Sequence, residues 1–279
     1  VTLYEKGAKL GGGLNIISIL NNEVEKLLGY LRTQTEESDV QIRLSQQVSA
    51  EAIKALKPDV IIAAVGATLV PPAIGGIEGD NVVTGMDIRQ MMSGNVNLDK
   101  FRSRWKNKEI MLTVGSFFLK RNNIKPSLMS RLTKLWMPFG KRIIIMGGDR
   151  IGCETAEFLV ERNRKITMVE SDEDGIGKGI AYYIKDYLID KLKKMNVDIL
   201  GGVKYEEVTK KGLVITNREG KKGIIEADTI VLATDAKPDS EFLSAIQGLA
   251  PEIYDIGDCQ EPQGILEAIA EGSRVARSI

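Results

Sequence analysis

Residues Arg142–Glu170 read RIIIMGGDRIGCETAEFLVERNRKITMVE, and this stretch decides the fold. Arg142–Met146 (RIIIM) is a continuous apolar run after its first residue, the pattern of a strand buried on both faces. Gly147–Gly152 (GGDRIG) interrupts it as a glycine-rich turn, Cys153–Glu161 continues as a helix, and Lys165–Glu170 is a second strand ending in an acid. Strand, glycine turn, helix and acid-terminated strand, in that order, is the layout of a dinucleotide site. Glycine lets the backbone turn tightly beneath a pyrophosphate, which rests on the positive end of the helix. Glu170, 18 positions past Gly152, is placed to accept hydrogen bonds from the hydroxyls of an adenine ribose. Its charge repels a 2′-phosphate, which favours NADH over NADPH. Asp149 occupies the middle glycine position of G-x-G-x-x-G, where a carboxylate facing the pyrophosphate costs contact distance and adds repulsion. An ordinary βαβ turn that binds nothing remains the alternative reading.

The same grammar precedes this stretch. Val1–Glu5 (VTLYE) has strand character and ends in an acid, and a loop with Gly7 and Gly11 to Gly13 follows. Glu23–Thr35 has helical periodicity, Val40–Leu44 and Asp59–Val65 read as strands, and Ala50–Leu56 as a short helix. After Glu170 the pattern predicts a long amphipathic helix over 180–195 and strands near 197–200, 213–216, 223–226 and 229–233. Glu252–Ile256 reads as a closing strand, followed by Gly257-Asp258 and a helix over 265–278. That last arrangement can hold a hydroxylated chain on Asp258 while aiming a helix N-terminus at an anionic ring. A turn or cap role for Asp258 is the simpler alternative.

Composition narrows the chemistry. The 279 residues include 38 acids, 38 bases, no histidine and two cysteines, Cys153 and Cys259, 106 positions apart. Histidine-based nucleophile pairs and His-ligated metals are excluded, as is a C-x-x-C dithiol or a cysteine-ligated cluster within this sequence. The neutral total hides an asymmetry: Leu98–Arg142 carries twelve Lys/Arg against Asp99 and Glu109, a net +10, leaving −10 on the remainder. Apolar residues such as Phe101, Trp105, Phe117 and Trp136 interleave with these bases, which suits an amphipathic insertion that packs against protein. No nucleic-acid or membrane partner is therefore expected, a basic surface for nucleic acid or anionic lipid being the alternative. The longest apolar stretch, Val60–Val65, is far short of the roughly 20 residues a membrane span needs. No basic-then-apolar leader opens the sequence, so a cytoplasmic location is expected. Val1 already lies in strand-like sequence, which reads as a piece of something longer.

Taken together, Y-E-K-x-x-x-L-G-G (Tyr4–Gly12), A-x-G-A-T (Ala64–Thr68), N-V-V-T (Asn81–Thr84), G-C-E-T-A-E-F-L (Gly152–Leu159), I-G-D-C-x-E-P (Ile256–Pro262) and I-L-E-A-I-x-E-G (Ile265–Gly272) occur in one order. That ordered set resembles the C-terminal flavin- and pyridine-nucleotide-binding region of the 2,4-dienoyl-CoA reductase and enoate reductase group of NADH:flavin oxidoreductases. The resemblance implies an α/β fold of two Rossmann-like dinucleotide-binding domains of the pyridine nucleotide-disulfide oxidoreductase type. The NAD domain is then inserted in the FAD domain, and the first FAD strand with its G-x-G-x-x-G, which should precede Val1, is absent from this sequence. The implied boundaries are 1–97 for the first part of the FAD domain, 98–140 for the basic insertion, 141–240 for the NAD(H) domain and 241–279 for the FAD return segment.

The family's roles carry over residue by residue. Glu5 resembles the acid that binds the FAD adenosine ribose, with Lys6, Gly11 and Gly12 in the loop beside it. Gly66 resembles a glycine of the loop near the flavin, with Val65 in place of the usual threonine. Gly257 and Asp258 resemble the flavin-binding Gly-Asp pair. Gly147, Gly148 and Gly152 resemble the NADH loop, Glu170 its ribose acid and Glu154 the helix acid facing the nicotinamide. Asp149, Asp235 and Gly13 depart from the family's pattern, and a degenerate, non-catalytic nucleotide-binding scaffold is the competing reading. The implied activity is hydride transfer from NADH to FAD, with no protein nucleophile. FMN and an iron-sulfur cluster belong to an N-terminal barrel that this sequence does not contain, so a barrel domain or separate acceptor would be the electron partner.

Overall fold

The structure is a computed structural model, and it describes residues 1–84, 139–234 and 236–279. Asp235 and all but the last two residues of the basic insertion lie outside the described residues. The first stretch carries β1 (Thr2–Glu5), α1 (Leu14–Leu20), α2 (Asn22–Glu36), β2 (Gln41–Leu44), α3 (Ala50–Leu56), β3 (Val60–Ala63), β4 (Ala67–Leu69) and β5 (Val82–Thr84). The second carries β6 (Arg142–Met146), α4 (Arg150–Val160), β7 (Lys165–Glu170), α5 (Tyr182–Lys194), β8 (Asp198–Gly201), β9 (Lys204–Thr209), β10 (Gly212–Thr216), β11 (Lys222–Glu226) and β12 (Thr229–Leu232). Then come β13 (Ala236–Pro238), α6 (Ser240–Ile246), β14 (Glu252–Asp255), a 3-10 turn at Gly257–Cys259 and α7 (Ile265–Ala276). These elements divide into two compact units, one of Gly13–Gly29 and Pro71–Thr234, the other of Val1–Gly12, Tyr30–Val70 and Asp235–Ile279.

The unit containing β6 is built on a five-stranded sheet in the order β5-β12-β6-β7-β8, with all its pairings parallel. Lying between β12 and β7 explains why β6 is apolar after its first residue: Ile143, Ile144, Ile145 and Met146 are all buried. Each such side chain contributes about 1.5–3 kcal/mol by leaving water. Cys153, Ala156 and Leu159, spaced three apart on α4, pack into the core cluster with Ile143, Ile145, Ile166 and Met168. A separate antiparallel sheet, β11-β10-β9, belongs to the same unit. From β6 the chain steps outward through β7 to β8, whereas β12 and β5 lie on the other side of β6. The strand order therefore reverses between β6 and β12, and open α/β sheets bind ligands beyond the carboxyl ends of the strands at such a point.

The other unit holds its described strands as two-stranded ladders: β1-β2 and β14-β3 are parallel, and β13-β4 is antiparallel. Asp255 is registered against Ala63, and the Ile256 N–H donates to the Ala63 carbonyl at 3.0 Å. The chain thus leaves β3 and β14 at neighbouring ends, towards Gly66 and Gly257 respectively. Ile53, Ala63, Ile246 and Cys259 form this unit's buried core. The α/β class agrees with the sequence reading. No described helix is long and apolar enough to cross a membrane.

Candidate dinucleotide sites

At the switch point, the turn after β6 is shaped by what surrounds it. Gly147 has φ +117°, and a Cβ there would lie 2.0 Å from the Ala233 carbonyl oxygen just past β12. A Cβ on Gly152 would lie 2.1 Å from the Gly147 oxygen, so this glycine lets α4 close onto the turn. On Gly148, a Cβ would meet Ile176 Cδ1 at 2.5 Å and Glu170 Cβ at 3.1 Å. Gly147 and Gly152 are therefore required by the chain's own backbone, whereas at Gly148 the tightest contact is with the movable end of the Ile176 side chain.

Glu170 ends β7 beside this turn, its Oε2 accepting the Gly148 N–H at 2.8 Å. Its Oε1 accepts the Asp172 N–H at 2.9 Å and the Ser171 hydroxyl at 3.1 Å. Asp149 is the N-cap of α4: at φ −67° and ψ −170°, its Oδ1 accepts the Gly152 N–H at 2.9 Å. That backbone conformation suits any residue, so nothing in the fold itself asks for glycine at this position. Glu154, half-buried on the first turns of α4, has its carboxyl pushed up by burial, with Arg150 opposing and Asp149 adding to the shift. Burial also pushes the Cys153 thiol up to about 12, Asp149 contributing next, and the thiol donates to the Gly148 carbonyl at 3.5 Å.

Sequence reasoning missed the segment that closes over the turn. Gly177 donates its N–H to the Gly148 carbonyl at 2.7 Å, and the Arg150 N–H donates to the Lys178 carbonyl at 3.0 Å. The alternating glycines of Gly175-Ile176-Gly177-Lys178-Gly179 were its available signal. A cavity of about 310 Å³ lies instead at the amino ends of β6 and β7, lined by Arg142, Lys165, Thr167, Asp198 and Glu226. It is at the opposite end of the sheet from the glycine turn.

In the other unit, Glu5 ends β1 and its Oε1 accepts the Gly7 N–H at 2.5 Å. Lys6 is exposed, and Gly11 and Gly12 take φ of +112° and +46°. Arg32 of α2 holds this loop, donating from Nε and Nη2 to the Leu10 carbonyl at 3.1 and 2.6 Å. Gly66, at φ +76°, leaves open space: a Cβ there meets nothing within 4 Å. Gly257, at φ +64°, packs against α7, where its Cβ would come to 3.2 Å from Ala268 Cβ. The Gly257 N–H donates to Glu271 Oε2 at 2.5 Å, and exposed Asp258 accepts the Gln263 N–H at 3.3 Å. The N-terminus of α7, at Gly264, has no side-chain cap. Its first N–H groups thus keep their positive end for another acceptor. Among the described residues no group of His, Cys, Asp and Glu could hold a metal ion.

Two units, each with strands ending in glycine turns and an acid, invite comparison with known proteins. A family model described as pyridine nucleotide-disulphide oxidoreductase matches residues 3–272. The chain belongs to that family. This region is accordingly an oxidoreductase domain of the pyridine nucleotide-disulphide oxidoreductase type. It is similar to the bilirubin reductase of Mediterraneibacter gnavus, at 29% identity over 98% of this chain and 36% of that protein. It is also similar to the NADH oxidase of Thermoanaerobacter brockii, at 26% identity over 100% of this chain and 37% of that protein. Among solved structures, 2-naphthoyl-CoA reductase superposes with a TM-score of 0.77 at 23% identity, covering 100% of this chain and 36% of its own. That likeness shows the fold, and this pyridine nucleotide-disulphide oxidoreductase chain spans about a third of the length of the curated relatives it matches.

Proposed function

We propose that this chain passes a hydride from NADH to FAD, as the electron-input region of an enzyme resembling the 2,4-dienoyl-CoA and enoate reductases. The observation that carries the reading is the Glu170 carboxylate, fixed at the switch point against the Gly148 N–H. An adenine ribose beside it would find an acceptor for its hydroxyls, and a 2′-phosphate would meet a negative charge, so NADH is the favoured donor. Gly147, Gly148 and Gly152 would bring the backbone close to the pyrophosphate, and Glu154 would face the nicotinamide.

The other unit would supply part of an FAD site, without the first strand and its G-x-G-x-x-G. Glu5, with Lys6, Gly11 and Gly12, would hold the adenosine ribose. The open space at Gly66 admits a ring at backbone distance, and Asp258 would accept from the hydroxyls of the ribityl chain. The uncapped end of α7 would offset negative charge arriving on the bound ring. The chemistry that bound FAD supplies is acceptance of two electrons from the nicotinamide. The protein's part is to position the rings and exclude water, with no side-chain nucleophile. The final acceptor would be read by a barrel domain carrying FMN and an iron-sulfur cluster, or by a separate protein.

Titrating FAD into the chain while following flavin fluorescence tests the cofactor half. Saturable quenching, weakened about tenfold in Asp258→Ala, is the expected result. Absence of saturable quenching by the folded chain, even with the missing first strand and its glycine turn supplied, would overturn it. A second reading, a degenerate nucleotide-binding scaffold, draws on one observation: Asp149 already occupies the Gly152 N–H.

A further inference from the structure

Three backbone N–H groups around the glycine turn are taken by acceptors of the chain itself. Gly148 donates to Glu170 Oε2 at 2.8 Å, Arg150 to the Lys178 carbonyl at 3.0 Å and Gly152 to Asp149 Oδ1 at 2.9 Å. Glu170 brings its charge from the end of the neighbouring strand, whereas Asp149 sets one at the position of the motif where a backbone is meant to approach a pyrophosphate closely. Its backbone angles are ordinary, so the residue is not forced by the turn. Its carboxylate satisfies one of the orphan donors that begin α4, an eleven-residue helix whose positive end would otherwise attract an anion.

We infer that Asp149 is a specificity-determining residue whose carboxylate stands in for phosphate at the head of α4 and holds dinucleotide affinity down. This rests on the reading of the unit as an NADH site. A dinucleotide must either displace the carboxylate from the Gly152 N–H or share the helix end with it. Either route weakens ligands that carry a pyrophosphate and leaves those without one unaffected. The Asp149 charge bears on its own helix as well, adding to the burial that raises both Cys153 and Glu154. On this reading the residue that looks like decay is a removable brake on nucleotide affinity.

The experiment is calorimetric titration of the purified chain with NADH and, separately, with adenosine, for the wild type, Asp149→Asn and Asp149→Gly. Asn keeps a capping acceptor and removes the charge, whereas Gly removes both. NADH should bind about tenfold tighter or more in Asp149→Asn, with adenosine affinity changed by less than about twofold. The difference between wild type and Asp149→Asn should shrink as salt is raised, because screening weakens the repulsion. Melting temperatures report the cap separately, Asp149→Asn staying close to the wild type and Asp149→Gly falling below it. A folded Asp149→Asn that binds NADH no tighter than a measurably binding wild type overturns the role of Asp149 and leaves the NADH reading standing. Absence of NADH binding in all three folded proteins overturns the NADH reading and the inference with it.

Discussion

Glu170 Oε2 accepts the Gly148 N–H at 2.8 Å, which fastens the end of β7 to the turn that ends β6. The acid therefore has a structural duty before any ligand arrives, since Gly148 is buried and its N–H has this carboxylate as partner. Glu170→Ala strands that donor and should cost about 1–3 kcal/mol in denaturant unfolding. It should also erase the preference for NADH over NADPH in binding titrations. A variant that keeps the preference at full strength would remove Glu170 from the ribose site.

Two glycines of the unit containing β6 should respond oppositely to a methyl group. Gly152→Ala drives a Cβ to 2.1 Å from the Gly147 carbonyl oxygen, and backbone on both sides leaves little room to yield. A loss of about 3 kcal/mol is expected. Gly13→Ala meets nothing within 4 Å, and Gly13 already has helical angles, φ −62° and ψ −29°. It should gain about 0.5 kcal/mol by restricting the unfolded chain. Urea unfolding of both variants checks the pair.

Cys153 and Cys259 are both fully buried, and burial raises both thiols, Cys153 to about 12. Neither should react with iodoacetamide in the native protein at neutral pH, and both should react after unfolding. Mass spectrometry of the alkylated protein distinguishes the two states.

Asp228 accepts the N–H groups of Lys141 and Arg142 at 3.0 and 2.9 Å, and its Oδ1 pairs with the Arg142 guanidinium at 3.1 Å. Partial burial acts to raise its carboxyl, and these hydrogen bonds and the Arg142 charge outweigh it, leaving the carboxyl below the usual carboxylate range. A depressed folded-state value means stability that is present above the unfolded value, near 3.8, and lost as pH falls through the folded one. Asp228→Asn should therefore destabilise the protein at neutral pH, and the gap to wild type should close as pH falls below about 4. Thermal melts across that range measure it. The pair is partly exposed, so solvent screening keeps the effect small.

Where burial is strong and local, the sequence spelled out the fold. Ile143–Met146 sits between two strands, which makes its apolar run unbroken, and the glycine turn and Glu170 follow at spacings set by one helix. Three-residue strands such as β4, β5 and β13 carry no usable periodicity, because Ala67–Leu69, Val82–Thr84 and Ala236–Pro238 are shorter than two repeats of a strand pattern. Lys204–Thr209 (KYEEVT) hid as a strand because only Val208 of it is buried. Leu14–Leu20 was masked by the glycines before it, and Gly13 at its start offers no side-chain cap. At the site, Asp149 showed its type but not its partner: an acid before a helix is an N-cap signal as well as a defect in G-x-G-x-x-G. The Lys178 carbonyl was illegible, since a backbone acceptor has no letter of its own.

The central claim is electron transfer from NADH to FAD, and anaerobic mixing of the FAD-reconstituted chain with NADH tests it most directly. Bleaching of the flavin visible band, saturating with NADH concentration and slower with NADPH, is expected. A flavin band that stays unbleached at saturating NADH, in folded protein with FAD bound, would contradict it.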